Sequence, residues 1–278
     1  MSKHNILSTR EAVQYNPNPE ILRYILGDKK FDDTVLRGLK VLDWGCGRGR
    51  MVAYLLKEGI DAYGVDVDYE TIKNSRIYFS EAGLDSDKYL HVMRSENQTN
   101  FPDGFFDVII SDNVLEHIPD LNTAMTEIMR ITKPGGYGFH LFPSRYTLRE
   151  GHLFMPIIHW LPKNNIRHAA IRLFTALGVE PRWPELKGKT SREKAQIYFD
   201  YSCSKTFYRH PRRIIEICAR AGMQARLVAI DHPRMKRFEK FWGTDHSLLR
   251  RFANYMVSEL KTMELYVERQ KIPDGKED

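Results

Sequence analysis

The feature that most restricts what this chain can fold into is the stretch Val41-Leu-Asp-Trp-Gly-Cys-Gly-Arg-Gly-Arg50. An apolar run ends in Gly45-x-Gly47-x-Gly49, and a helix-like segment follows at once. Three alternate glycines allow a sharp turn and a close approach of backbone to a ligand, while the helix behind them presents free N–H groups. Asp66 ends a second apolar run, Tyr63-Gly-Val-Asp66, 21 residues after Gly45. An acidic side chain there can accept hydrogen bonds from both ribose hydroxyls of a nucleoside cofactor. A dinucleotide site spaces its glycines G-x-G-x-x-G for a pyrophosphate. Here the spacing is tighter and Asp43 precedes it, which repels phosphate and favours a cofactor with a cationic amino-acid end.

The rest of the chain supports a parallel sheet. Lys40–Trp44, Ala62–Val65, Phe106–Ser111 and Tyr137–Phe142 read as strands, with Tyr89–Met93 as a further one. Residues 50–58, 68–82 and 120–132 between them read as helices. Strands alternating with helices of this length predict a sheet covered on both faces. Pro143 to Tyr201 breaks the rhythm and reads as an inserted cap. A helix over 206–221, a strand over 223–230, a helix over 247–260 and a strand over 263–269 resume it. The expected units are an N-terminal helical lid (1–38), a cofactor-binding core (39–142), the cap (143–205) and a C-terminal part of the core (206–278).

Charge separates these units. The chain has net charge +6, yet residues 143–240 alone carry net +12. Such asymmetry speaks about partners and not about fold. The three cysteines, Cys46, Cys203 and Cys218, are too few and scattered for a disulfide framework or a zinc site. No apolar run reaches the roughly 20 residues that a membrane span needs, and Met1 to Arg10 has no hydrophobic signal region. A soluble, cytoplasmic protein is expected.

At this point the sequence resembles the class I S-adenosylmethionine-dependent methyltransferases, small-molecule branch. The residues that carry the resemblance are Asp43-x-Gly-x-Gly-x-Gly49, Gly64-Val-Asp66, Phe101-Pro-Asp-Gly-Phe-Phe-Asp107, Ser111-Asp-Asn-Val-Leu-Glu-His117 and Lys133-Pro-Gly-Gly136, from about Leu39 to Phe142. The resemblance implies a Rossmann-like α/β fold: a seven-stranded, mostly parallel sheet with helices on both faces. It implies S-adenosyl-L-methionine as cofactor, its methionine end on Asp43, Gly45, Gly47 and Gly49. It puts the ribose on Asp66 and the adenine beside Val67, with Ser95 and Glu96 at the position that often meets the adenine amino group. Asp112 and Asn113 would face the reaction centre.

Methyl transfer to a hydroxyl needs alignment, desolvation and a place for a proton. His117, just beyond the fourth strand, is the candidate base, and a brace for the loop is its alternative reading. His152 and His159 flank Pro156, which prevents a regular helix between them, so each is a structural histidine or lines an acceptor pocket. Metal-dependent catechol-type members carry an Asp-Asn pair after the fifth strand. Phe142-Pro-Ser144 stands here instead, so no metal is expected.

The elements typical of nucleic-acid amino methylation and of protein arginine methylation are absent. The cap is basic and aromatic, with Arg145, Arg149, Arg167, Arg172 and Arg182 beside Tyr146, Trp160, Trp183, Tyr198 and Tyr201. Arginine grips carboxylate or phosphate in a fork while rings pack apolar parts. O-methylation of a small or glycan-like anionic acceptor is the expected reaction, with Arg145, His152 and His159 as acceptor-binding residues. The alternatives are an RNA methyltransferase or a non-catalytic binding protein that keeps the fold. No stable nucleic-acid binding is expected. The Leu153–Leu161 block is short and proline-broken, which permits at most transient contact with a membrane surface.

Overall fold

The structure, a computed structural model, describes residues 17–18, 21–22, 38–94, 97–228, 248–260 and 262–271. Its first strand, β1 (Lys40–Trp44), leads through the glycine turn into α1 (Arg50–Lys57). β2 (Asp61–Asp66) and α2 (Tyr69–Glu81) follow, then a short α3 (Ser86–Tyr89) and β3 (Leu90–Val92). β4 (Phe106–Asp112), α4 (Leu121–Ile131) and β5 (Thr132–Pro143) complete the first half. The later elements are α5 (Asn165–Ala176), α6 (Ser191–Ser204), α7 (Pro211–Arg220), β6 (Met223–Leu227), α8 (Leu248–Leu260) and β7 (Thr262–Arg269).

The seven strands form one sheet in the order β3-β2-β1-β4-β5-β7-β6. β1 to β5 pair in parallel, and β7 lies antiparallel to both β5 and β6. Because strand side chains alternate, β1 feeds two cores. Leu42 and Trp44 join Ile109, Met125, Ile128 and Ile217 on the face covered by α4 and α7. Val41 joins Val52, Leu55, Phe79, Val108 and Ile110 on the face covered by α1 and α2. Burial on both faces makes these strands nearly continuously apolar, as parallel strands must be.

The strand and helix expectations hold with small shifts. The expected helix over 206–221 begins at Pro211, because proline at the first helical position needs no hydrogen-bond donor and presets φ. Residues 206–210 stay irregular, and the Phe207 N–H donates to the Glu116 carbonyl at 2.7 Å. β5 begins at Thr132 and so takes in the Lys133-Pro-Gly-Gly136 stretch, with a register shift against β4 between Phe106 and Val108. Residues 229–230 of the expected 223–230 strand lie outside the described residues. So does nearly all of the expected lid, residues 1–38.

Between β5 and α7 the chain builds a separate apolar cluster of Leu153, Met155, Ile158, Ile171, Leu186, Ala195 and Tyr198. Asn164 caps α5, and Thr190 caps α6 in a reciprocal box with Glu193. Such caps each contribute about 1 kcal/mol. Trp183 packs edge-on against Tyr198 and Tyr201 at 5.1 Å each. Those rings are part of the segment's own packing, not an open stacking surface. No helix among the described residues is long and apolar enough to cross a membrane.

Candidate active site

The site lies at the carboxyl ends of β1, β2 and β4, where helices are entered and a parallel sheet offers its crevice. Gly45, Gly47 and Gly49 all take left-handed backbone angles, with φ of 78°, 51° and 69°. The turn is pinned by the N–H groups of Gly45 and Cys46, which both donate to the Val65 carbonyl at 2.8 and 2.9 Å. A Cβ on Gly45 would stand 2.5 Å from Val114 Cγ2, so only glycine fits. Gly49 also begins α1 with no side-chain cap, which leaves the helix N-terminus open toward the crevice.

Asp66 does more than the sequence suggested. Its Oδ2 accepts from the Gly47 N–H at 2.8 Å, and its Oδ1 accepts from the Asp68 N–H at 2.9 Å. The carboxylate therefore ties the glycine turn to the end of β2, and each oxygen keeps a lone pair for a further donor.

Asp43 is buried, and its carboxyl pKa is pushed up to about 7, first by burial and then by the negative charges of Asp112 and Asp66. The same surroundings push the Cys46 thiol up. Asp112 is also raised by burial, although Asn18 Nδ2 donates to its Oδ2 at 3.2 Å. Asn113 turns the chain at φ 55°, and its side chain donates to Asp112 Oδ1 at 2.8 Å. Three carboxyl groups thus crowd one end of the crevice, a setting for a cation and against phosphate.

A cavity of about 530 Å³ opens here. Gly45, Asp66 and Val67 line one side, and Asn113, Val114 and His117 line the other. Asp43, Gly47, Gly49 and Asp112 are not among its lining residues; Gly47 is joined to the lining by its hydrogen bond to Asp66, and Asp112 by that from Asn113. Glu96 lies outside the described residues, while its neighbour Asn97 lines the cavity.

His117 stands on a short 3₁₀ turn, Leu115–His117. Its Nδ1 meets the Lys205 carbonyl at 2.6 Å; a carbonyl can only accept, so Nδ1 carries the proton and the Nε2 lone pair is free. Burial lowers its pKa below the ordinary value, which keeps the ring neutral near pH 7.

His152 comes to the same place, its ring 4.6 Å from that of His117 and edge-on. His159 does not: it packs on Tyr208 at 4.8 Å and, with Arg145, lines a second cavity of about 530 Å³. Lys163, Arg167 and Arg209 complete that basic lining, and no Asp or Glu is among it. Arg209 donates to the carbonyls of Leu115, Ile118 and Pro119, which ties the basic cavity's lining to the segment that carries His117. Arg172 and Arg182 are exposed on the surface, away from either cavity.

The sequence reading missed Glu116, Glu150 and Tyr208. Glu150 accepts from His152 Nδ1 at 2.9 Å, from the His152 N–H at 2.8 Å, and from the Leu153 N–H and the Tyr208 hydroxyl. These bonds hold its pKa near 2 despite burial. The available signal was a glutamate directly before the charge-free Gly151–Pro162 block, and a carboxylate drawn into such surroundings is buried only with partners.

Comparison with known proteins agrees with this geometry. Residues 42–139 match the family model described as a methyltransferase domain. The chain is 32% identical over 104 residues to a ubiquinone biosynthesis O-methyltransferase of Pectobacterium atrosepticum, a match covering 37% of this chain and 42% of that protein. It is 31% identical over 122 residues to the enzyme of the same description in Aliivibrio fischeri, covering 44% of this chain and 50% of that one. The matched region thus spans half or less of these relatives. An S-adenosylmethionine-dependent methyltransferase structure from Mesorhizobium loti superposes with a TM-score of 0.50 at 15% identity, covering 94% of this chain and 98% of that one.

Proposed function

We propose that this chain, whose residues 42–139 match a methyltransferase domain, is a class I S-adenosylmethionine-dependent methyltransferase that O-methylates a small acceptor bearing an anionic group. The observation that carries the reading is the single cavity shared by the Gly45–Asp66–Val67 side and the His117 side. When bound, the cofactor supplies a methyl group on a cationic sulfur that departs as a neutral thioether. The residues present fit it. The glycine turn at Gly45 admits no Cβ, and the buried Asp43 with Asp66 and Asp112 suits an ammonium and a sulfonium.

The chain's own part is to position and to desolvate. Asp66, already holding Gly47 and Asp68, presents lone pairs toward the cavity for ribose hydroxyls. His117 lines the same cavity, and its neutral ring is the candidate to take the proton that an acceptor hydroxyl must lose. The basic cavity, tied to the Leu115–Pro119 segment through Arg209, supports an acceptor with a carboxylate or phosphate. Arg167 and Arg209 are committed to backbone carbonyls. Arg145 has no such contact among the described residues, so its fork is the one free to grip an anion.

The test is transfer of label from radiolabelled S-adenosylmethionine in cell extract. Label in a small or lipid-extractable anionic species supports the reading. Label in nuclease-sensitive material would move it to RNA, and tight cofactor binding with no labelled product would leave a binding protein.

A further inference from the structure

Glu116 is 1% exposed, and neither of its carboxylate oxygens has a hydrogen-bond partner. A buried carboxylate without a partner is costly, and a native chain keeps one only where something else satisfies it. Two imidazoles face it. Nε2 of His117 and Nε2 of His152 each lie 3.8 Å from Glu116 Oε1, beyond hydrogen-bond reach.

Their other nitrogens are spoken for. His117 Nδ1 donates to the Lys205 carbonyl, and His152 Nδ1 donates to Glu150, which three further donors hold in place. Both rings therefore turn Nε2 toward a carboxyl group that has no hydrogen-bond partner. The three ligand atoms all lie within 4.8 Å of one another.

We propose that Glu116, His117 and His152 bind a divalent transition-metal ion. Three groups that can each offer a ligand atom face one another with no hydrogen bond between them, and a cation would satisfy all three. Fixing each histidine through its second nitrogen, by a carbonyl or a carboxylate, is how proteins orient metal-ligating imidazoles. Tetrahedral bonds of about 2.0–2.2 Å put neighbouring ligand atoms about 3.4 Å apart, so side-chain rotations that move these atoms by about an ångström close the set. Two imidazoles and one carboxylate select zinc, cobalt, iron(II) or manganese over magnesium and calcium. The sequence expectation of no metal looked for an Asp-Asn pair after the fifth strand; this set is assembled elsewhere, from two segments 35 residues apart.

Binding of the ion stands on these contacts alone. Its use rests on the methyltransferase reading: His117 lines the cofactor cavity, so an open coordination position there would take the acceptor oxygen and ease loss of its proton to water. Nε2 of His117 is then a ligand, and it is not the base.

The experiment uses the full chain, stripped with a chelator and titrated with Co(II). The expected results are one tightly bound ion per chain with the intense visible absorption of a low-coordinate cobalt site. Zn(II) should compete for it and raise the melting temperature. Glu116→Gln and His152→Ala should each weaken binding roughly 100-fold or more. Cofactor binding by the His152→Ala chain shows that it is folded. Absence of stoichiometric cobalt binding by the wild type, or equal binding by both variants, overturns the proposal. Metal binding with no transfer to any acceptor would instead count against the methyltransferase reading. Full activity of the chelator-stripped chain would return His117 to the role of base.

Discussion

A carboxyl group with a pKa of about 7 in a site for a cationic cofactor couples binding to pH. Asp43 is buried between the carboxylates of Asp66 and Asp112, with the Cys46 thiol beside it. In the free protein it is about half protonated at pH 7. The cofactor's ammonium and sulfonium favour the ionised form, so binding should expel the proton. If only the ionised form binds well, apparent affinity falls by the factor 1 + 10^(pKa − pH). That is about twofold at pH 7 and about tenfold at pH 6, with nearly full affinity by pH 8. The sign is fixed: affinity rises with pH, because the free state holds more protons than the bound state. Titration calorimetry in two buffers of different ionisation enthalpy should detect release of about half a proton at pH 7. Asp43→Asn should bind weakly and without this pH dependence. A wild-type affinity that stays flat from pH 6 to 8, with no buffer dependence, would refute the assignment of the amino-acid end to Asp43.

Asp66→Ala removes the acceptor for Gly47 and Asp68 as well as the ribose contact, so cofactor affinity should fall at least about tenfold, with a measurable loss in melting temperature. An affinity equal to wild type would sink the ribose assignment. Gly45→Ala meets Val114 at 2.5 Å at a φ of 78°; left-handed strain and overpacking together should cost about 2–4 kcal/mol in denaturant melts, and unchanged stability would contradict the packing argument. His140 is buried on β5 with its pKa lowered to about 4 by burial, so the unfolded chain binds more protons between pH 6.5 and 4. Stability should therefore be full above about pH 6.5 and fall by on the order of 3 kcal/mol toward pH 4, a slope that His140→Gln should reduce. Arg145→Ala should raise KM for the acceptor roughly tenfold or more with kcat little changed, while an equal fall in both kcat and kcat/KM would assign Arg145 to the transition state instead.

What the sequence determined by itself was local and repetitive. Strands β1, β2, β4 and β5 are nearly continuous apolar runs because both of their faces are buried, and such runs can be read without knowing their neighbours. The glycine turn was legible because positive φ at three alternate positions tolerates almost nothing else. Asp66 was legible because one strand and one helix fix its distance from the turn. The helix starts at Asp68 and Asp120 rest on residues whose chemistry acts within one turn.

Tertiary structure decided what depends on separate segments meeting. The pKa of Asp43 follows from the ends of β1, β2 and β4 lying side by side, which no single window contains. Glu116 and His117 meet His152 only because the segment after β5 folds on its own apolar cluster and Glu150 holds the histidine in place. Arg209 reads as one more surface charge in sequence, yet it anchors three carbonyls of the Leu115–Pro119 segment that carries His117. Electrostatics and coordination act over a few ångströms of space, and only the folded chain sets those distances.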